Sequence, residues 1–396
     1  MNEGAPGDAH YEGREQTLVK HFILRKYLER FALIVGTKWK SITYVDGFSG
    51  PWNLKSENFE DSSFAIALEE LRKARRVLER NGHELGIRCF FIEKNRQSHT
   101  LLKAYTDTIQ HAHVETKNAP LEASIDDILS FIEKDRPKTF PFIFIDPKGW
   151  TGFSMKTIQP LLQSEPGEVL INFMTGHIKR FITSPLEESQ ESFRQLFGSD
   201  GYREKLAGRA EQDREDAAVS FYMQCLKRTG KFRHVCCAII LHPEFDRTHF
   251  HLIYATRHAK GVEVFKDVEK KAMQNMEEAR ATVQKRKQEK QSGQQSSFFQ
   301  ETPLRSSRHY DLLRERYLDK CQRQLKKWLS ERSRVSYDEA WAFALMAPIV
   351  WESDLREWLD EWSEQGLLIV TNRPPRSKVF NRKKGILLEW TGEKAG

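Results

Sequence analysis

Short apolar runs that alternate with helical segments constrain the fold of this chain most strongly. The runs are almost continuously apolar, which is typical of strands buried on both faces of a parallel sheet; they occupy residues 41–46, 87–93, 113–118, 140–146 and 168–174. The intervening segments repeat apolar residues at helical spacing, at residues 17–35, 64–82, 96–110 and 123–135. This alternation of strand and helix predicts a doubly wound α/β domain.

Two further strands, at residues 232–241 and 249–257, follow a mostly helical insert at residues 177–230. The link between these strands is too short for a crossover helix, so we expect a hairpin that reverses the last strand. Five parallel strands followed by such a hairpin are the pattern of class I S-adenosylmethionine (SAM) methyltransferases. We therefore predict a Rossmann-like, methyltransferase-like sheet with an antiparallel last strand over residues 17–278.

The remaining segments differ in composition from this domain. Residues 1–16 are polar and are predicted to be disordered, and residues 279–307 are rich in Gln, Ser and Lys, which indicates a frayed helix end and a flexible linker. Residues 308–392 contain three predicted helices and two apolar strands that bracket a basic loop. This order predicts a small C-terminal winged-helix domain.

Composition narrows the function classes. The 396 residues suit two or three domains, and a hydrophobic content of 39% excludes wholesale disorder. A net charge of +7 permits a polyanionic partner without requiring one. The five cysteines form no C-x-x-C pair, and no apolar run approaches the roughly 20 residues of a membrane span. The polar N-terminus has no secretory signal, so we predict a cytoplasmic protein without a metal site and without a membrane partner.

A glycine-containing turn closes the first predicted strand in the segment YVDGFSGP. A SAM site needs glycines at this point because the backbone must turn sharply and approach the cofactor. The spacing does not match the G-x-G-x-x-G fingerprint of dinucleotide folds. We assign cofactor binding to Asp46, Gly47, Phe48 and Gly50; an ordinary strand-to-loop turn is the alternative.

Polar residues also stand at the ends of the other predicted strands. Glu93 ends the second strand, where an acid can accept both hydroxyls of a ribose. Asn118, after the third strand, is assigned to the adenine side of the same site. Asn172, at the end of the fifth strand, and Lys20 and His21, on the first helix, are weaker candidates. The alternative for each of these residues is a structural role.

The fourth predicted strand ends in the dipeptide Asp146–Pro147. Amino-methylating enzymes place an acid or amide followed by proline here, so that its oxygen holds the acceptor amine. Trp150 could add a face on which a flipped base stacks. We therefore assign Asp146, Pro147 and Trp150 to catalysis. Lys148 and Gly149 depart from the usual Asp-Pro-Pro-aromatic pattern, and Asp146 as the cap of the next helix is the alternative.

The loop between the last two strands is dense in cations. Such a loop suits phosphate contacts, which give affinity without reading sequence. The third predicted helix of this region is acidic, which argues against insertion into a DNA major groove. A solvated loop, or a domain that binds RNA or protein or serves only for packing, is the alternative. The residues assigned to nucleic-acid binding are Arg373, Arg376, Lys378, Arg382, Lys383 and Lys384.

A family resemblance covers residues 17–275. It lies in the order of the blocks KHFILRKYLERF, YVDGFSGPW, FIEKN, FIDPKGWTGF, EVLINFM and HLIYATRHAKGVEVFKD. In these blocks the chain resembles the three-Cys-motif partner proteins (TcmP). The resemblance implies a methyltransferase-like fold with a winged helix, and a partner that is a radical-SAM-like protein bearing three cysteines. Lys148 stands where that family often has a phenylalanine.

Two functions of different classes compete at this stage. The first is a SAM-dependent methyltransferase that acts on nucleic acid, DNA or RNA. The second is a non-catalytic module of the same fold that recruits a partner enzyme to nucleic acid, and the departure at Lys148 favours it. A small-molecule methyltransferase would make poor use of the basic loop. Because no cysteine lies at a predicted strand end, carbon methylation through a cysteine adduct is not expected.

Overall fold

A seven-stranded sheet forms the centre of the first part of the molecule. In the computed structural model, which describes residues 11, 13–50, 59–184, 186–292, 308–373 and 379–392, its strands run in the order β3-β2-β1-β4-β5-β7-β6. Their bounds are β1 (Ser41–Asp46), β2 (Gly86–Ile92), β3 (His113–Lys117), β4 (Thr139–Ile145), β5 (Glu168–Phe173), β6 (His234–Leu241) and β7 (Thr248–Thr256).

The sheet is mostly parallel. Strands β1 to β5 pair in parallel, and β7 pairs antiparallel with β5. Strands β1 and β5 are buried along their whole length, although each contains polar residues. The edge strand β3, which was predicted with the same buried pattern, is instead exposed or half-buried throughout, because only one neighbour strand covers it. The predicted mixed α/β, Rossmann-like sheet and its reversed strand are therefore confirmed.

Helices cover this sheet and fill the predicted insert. They are α1 (Glu15–Gly36), α2 (Ser63–Arg80), α3 (Arg96–Thr106), α4 (Ile125–Glu133), α5 (Met155–Leu162), α6 (Thr175–Phe181), α7 (Glu187–Phe197), α8 (Tyr202–Leu206), α9 (Glu211–Thr229) and α10 (Ala259–Ser292). Helix α10 extends into the predicted linker, because residues 279–292 are helical. Residues 293–307 lie outside the described residues.

Helix α1 is fixed to the sheet by a buried polar cluster. The Tyr27 hydroxyl donates to Glu168 Oε2 at 2.6 Å and lies 2.5 Å from the hydroxyl of Tyr254. Thr256 donates to the other oxygen of Glu168 at 2.8 Å. Because these bonds join α1 to β5 and β7, they set the position of α1 and of the polar residues near its start.

The C-terminal residues form a unit with its own core. The chain divides into two compact units, residues 1–235 with 239–286, and residues 236–238 with 287–396. The C-terminal elements are α11 (Arg308–Ser330), β8 (Val335–Ser336), α12 (Tyr337–Ala344), α13 (Glu352–Glu364), β9 (Leu368–Thr371) and β10 (Leu387–Trp390).

Strand β10 pairs antiparallel with both β8 and β9 in this C-terminal sheet. The three predicted helices and the two strands of the hairpin are present, and β8 is an addition that the sequence did not indicate. Residues 374–378 of the predicted basic loop lie outside the described residues. No helix in the described part of the chain is long and apolar enough to cross a membrane.

Candidate functional site

A cavity of about 550 Å³ opens at the carboxyl edge of the parallel strands. Its lining includes residues that follow β1, β2, β4 and β5, together with residues at the start of α1. Open α/β sheets bind ligands at this edge because the loops after the strands converge there. Of the residues predicted from the sequence, those that line the cavity are Gly47, Phe48, Gly50, Glu93, Asp146, Pro147, Asn172, Lys20 and His21.

Asp46 holds the turn after β1 through hydrogen bonds of its buried side chain. Its side chain is fully buried; Oδ1 accepts the Phe48 N–H at 3.0 Å, and Oδ2 accepts the Ser63 hydroxyl at 2.6 Å. Burial raises the pKa of this carboxyl to about 6. Asp46 is not among the residues that line the cavity, so its position suits holding the turn rather than direct contact with a ligand.

The turn itself packs closely on its neighbours. A Cβ added at Gly47 would lie 3.2 Å from the side chain of Leu121, and the Gly47 N–H donates to the Phe144 carbonyl at 2.9 Å. The Ser49 N–H donates to the Ile92 carbonyl at 2.8 Å, which ties the turn to the end of β2. A side chain at position 47 would therefore push against the cavity wall.

Glu93 presents a carboxylate to the cavity from the end of β2. The residue is only 3% exposed, and its Oε1 accepts the Asn95 N–H at 2.5 Å. Asn118 does not line the cavity; its amide donates to the carbonyls of Glu93 and Lys94, at 2.8 and 3.1 Å. Asn118 thus holds the backbone that carries Glu93, and its predicted contact with an adenine gains no support.

Asp146 is the centre of a polar cluster with two of the weaker candidates. Its Oδ2 accepts a short hydrogen bond from the Lys20 ammonium, and its Oδ1 accepts one from the Asn172 amide at 2.7 Å. Among the described residues, Oδ1 of Asn172 is buried without a hydrogen-bond partner. The helix-cap alternative for Asp146 is wrong, because Ser154 caps the next helix by accepting the Thr157 N–H.

Trp150 is not among the residues that line the cavity, although its chain neighbours Gly149 and Thr151 are. Its indole N–H donates to Ser192 at 3.0 Å, and its ring centroid is 5.1 Å from that of Phe181 and 5.7 Å from that of Phe193. Both phenylalanines belong to the helical insert, so the indole serves the packing of α6 and α7. The predicted stacking of an acceptor base on Trp150 gains no support from this position.

Other residues of the cavity were not predicted from the sequence. Arg14 forms an ion pair of 2.5 Å with Asp61, and both side chains line the cavity beside His21. His21 is buried, which lowers its pKa well below the usual value, so the imidazole is neutral. His249 and Phe250 also line the cavity, because β7 runs antiparallel and begins at this edge. The predicted antiparallel direction of this strand was the one feature of the sequence that could have indicated these two residues.

The basic loop of the C-terminal unit is less free than its sequence indicates. The Arg382 guanidinium donates to Asp338 at 3.1 Å and lies 4.0 Å from the ring centroid of Trp341. The Lys383 N–H donates to the same carboxylate at 2.9 Å. Arg382 is therefore a packed side chain, and its charge is balanced by Asp338.

Arg373 is held in a similar way. It donates to Asp360 at 2.8 Å and lies 4.3 Å from the ring centroid of Phe380. Arg376 and Lys378 fall outside the described residues. Lys384 is exposed. The prediction that these six cations bind nucleic acid stays untested, but Arg373 and Arg382 are already paired with carboxylates.

Comparison with known proteins gives weak similarities. No protein-family profile matches the chain, and no curated protein matches it. A Legionella pneumophila protein of family DUF519 has a TM-score of 0.40 at 11% identity, over 65% of this chain and 92% of that one. A loganic acid methyltransferase with bound S-adenosylhomocysteine has a TM-score of 0.29 at 7% identity, over 67% of this chain and 84% of that one. Neither similarity assigns this chain to a family.

Proposed function

We propose that this chain is a SAM-dependent methyltransferase that acts on an amino nitrogen of nucleic acid. The observation that carries the proposal is that two groups of residues line one cavity. Glu93 and the turn at Gly47 form the first group, and the second is the cluster that Asp146 forms with Lys20 and Asn172. One half of this cavity suits a nucleoside cofactor, and the other half suits the acceptor. The strand order β3-β2-β1-β4-β5-β7-β6 is the order that class I methyltransferases share.

The cofactor half fits SAM in the size of the cavity and in the carboxylate that Glu93 offers to it. A cavity of about 550 Å³ lies within the roughly 300–1,000 Å³ of small-molecule sites. Glu93 Oε1 is held by the Asn95 N–H, and among the described residues no other hydrogen bond to this carboxylate occurs, so it can accept from ribose hydroxyls. The cavity lining carries acids and cations in equal number, so its charge alone does not select a sulfonium; they are Asp61, Glu93, Glu122 and Asp146, and Arg14, Lys20, Lys94 and Lys148.

The acceptor half orients a nucleophile. Bound SAM supplies an electrophilic methyl group. Asp146 offers further lone pairs besides those used by Lys20 and Asn172, since a carboxylate accepts up to about four hydrogen bonds. An acceptor amine that donates to Asp146 would be fixed with its lone pair directed into the cavity. Such orientation of reacting atoms is a large part of the rate of a direct displacement.

The nucleic-acid acceptor and the cytoplasmic location rest on the sequence. The chain carries a net charge of +7, and Lys383 and Lys384 are exposed in the C-terminal unit that we interpret as a winged helix. The radical-SAM-like partner bearing three cysteines rests on the family resemblance alone. We expect these features to bring the acceptor to the cavity edge rather than to take part in methyl transfer.

A transfer experiment tests the proposal. The full chain is incubated with SAM labelled on its methyl group and with total cellular DNA, RNA and protein, and label in each fraction is counted. We expect label in a nucleic-acid fraction, and its loss with Asp146→Ala. Asp107→Ala, which removes a carboxylate 61% exposed on the surface, is the matched control. Label confined to protein or small molecules would contradict the proposed acceptor.

A non-catalytic binding module is the second candidate. It is favoured by the observation that both oxygens of Asp146 already accept hydrogen bonds from Lys20 and Asn172. In that case calorimetry would show SAM binding that Glu93→Gln weakens. The control Glu115→Gln, which changes a half-buried residue of β3 outside the cavity lining, would leave it unchanged. No fraction would take label from the bound SAM.

A further inference from the structure

A row of aromatic rings runs along the loop between β6 and β7 and ends at the cavity. The ring centroids of Phe245 and His242 are 4.7 Å apart, and those of His242 and His249 are 5.4 Å apart. His249 lines the cavity, whereas Phe245, at the other end of the row, is 47% exposed. The row therefore connects the protein surface with the acceptor half of the site.

The loop that displays Phe245 is fixed by a buried arginine. Arg280 of α10 is 1% exposed, and its guanidinium donates to the carbonyls of His242 and Phe245 and to Asp246, at 2.7 Å for the last. Within the loop, the His242 N–H donates to the Arg247 carbonyl at 2.9 Å. Desolvating an arginine is costly unless it makes hydrogen bonds. The bonds from Arg280 to the loop offset part of this cost, and they hold the backbone of Phe245 in a defined position.

We infer that Phe245 is a stacking platform for the nucleotide next to the acceptor in a single-stranded nucleic acid. Aromatic side chains bind single strands in this way because every base has a π-face. The Arg247 guanidinium lies 5.3 Å from the Phe245 ring centroid and is exposed, so it can meet a backbone phosphate. The inference rests on the proposed function, because it requires that the nucleic-acid strand reaches the cavity past His249.

The charges on the loop fit this occupant. Asp246 is paired with Arg280, which balances its charge, and Arg247 supplies a cation beside the ring. Glu244 is a second exposed acid of the loop. An apolar peptide could also cover Phe245, but it would offer no negatively charged group to Arg247.

A comparison of strands with and without bases tests the inference. Fluorescence anisotropy measures the binding of a labelled mixed-sequence 12-nucleotide single-stranded DNA, an RNA of the same sequence, and an abasic strand of equal length. Phe245→Ala should weaken binding of at least one base-carrying strand by about 5- to 150-fold, as alanine substitution of a stacking aromatic residue does. It should leave the abasic strand unaffected. Phe245→Trp should restore affinity, and Leu101→Ala, which alters an apolar residue 52% exposed on α3, is the control.

The outcomes separate this inference from the proposed function. Equal affinity of wild type and Phe245→Ala for every strand, or an equal loss on the base-carrying and abasic strands, would overturn the stacking role while methyl transfer to nucleic acid could still occur. Binding that depends on both the bases and Phe245, without methyl transfer by the wild type, would support the inference and overturn the proposed activity. Capture of peptides that Phe245→Ala abolishes, with no strand bound, would overturn both.

Discussion

Replacing Asp46 by asparagine should stabilise the first unit at neutral pH while leaving its fold intact. The carboxyl is fully buried, and burial raises its pKa from 3.8 to about 6. An asparagine is almost isosteric: its Oδ1 can accept the Phe48 N–H, and its amide can donate to Ser63 once the hydroxyl turns. The substitution therefore removes the cost of burying a charge and keeps both contacts.

The pH dependence follows from the direction of this shift. Below pH 3.8 the carboxyl is protonated in the folded and unfolded chains, and its stabilising contribution is complete. As the pH rises through about 6, the folded protein must ionise a buried group, and that contribution is lost. At about 1.36 kcal/mol per pKa unit, the loss is about 3 kcal/mol. The advantage of Asp46→Asn over the wild type should grow by up to that amount between acidic and neutral pH.

Urea unfolding at several pH values between 4 and 8, followed by circular dichroism, measures this difference. Asp107→Asn alters an exposed carboxylate and should show no comparable trend. Asp46→Ala should destabilise the protein at every pH, because it removes both hydrogen bonds and leaves a void. A stability difference between Asp46→Asn and wild type that is constant with pH would refute the reasoning.

The remaining predictions concern the acceptor half, the C-terminal unit and the core. Asn172→Ala removes the donor to Asp146 Oδ1 and should lower kcat of methyl transfer by about 100-fold with little change in SAM affinity, measured by steady-state kinetics and calorimetry; unchanged kcat would show that Asn172 does not position Asp146. Arg382→Ala should destabilise the C-terminal unit by about 1–2 kcal/mol through the lost Asp338 pair and Trp341 contact, whereas Lys384→Ala should not, as thermal unfolding would show. Gly261→Ala should lower the free energy of unfolding in urea by about 1–3 kcal/mol, because its Cβ would lie 2.2 Å from the Tyr254 hydroxyl. Gly149→Ala is the control, since its Cβ would meet no atom within 4 Å. Equal stability of the two variants would contradict this packing.

The sequence predicted strands well where burial is complete and helix ends poorly where packing decides. Strand β1 was predicted with its observed bounds, because its β-branched and aromatic residues favour a strand and the Asp-Gly turn ends it. For residues 279–307 the sequence predicted a frayed helix end and a flexible linker, and helix α10 continues to Ser292. Residues 279–292 contain few apolar side chains, but Ala, Gln, Lys, Arg and Glu are strong helix formers, and this propensity extends the helix beyond its apolar part.

The site was predictable as far as strand ends determine it. Glu93 and Asp146 come together because the carboxyl ends of parallel strands share one edge. The pairing of Lys20 with Asp146 joins helix α1 to a strand end far along the chain, and no local pattern indicates such a contact. The packing of Trp150 was not predictable either, since its neighbours Phe181 and Phe193 belong to an insert whose position the sequence does not determine.

The buried hydroxyl cluster under α1 has a consequence for the order in which the protein is made. Tyr27 leaves the ribosome well before its partner Tyr254, which lies 227 positions later in the chain. At roughly 5–20 residues per second, about 10–50 s of synthesis separate the two. Until β7 emerges, α1 lacks this anchor and Lys20 has no fixed position over Asp146. A nascent chain that stalls before β7 would therefore contain most of the sheet without an assembled site.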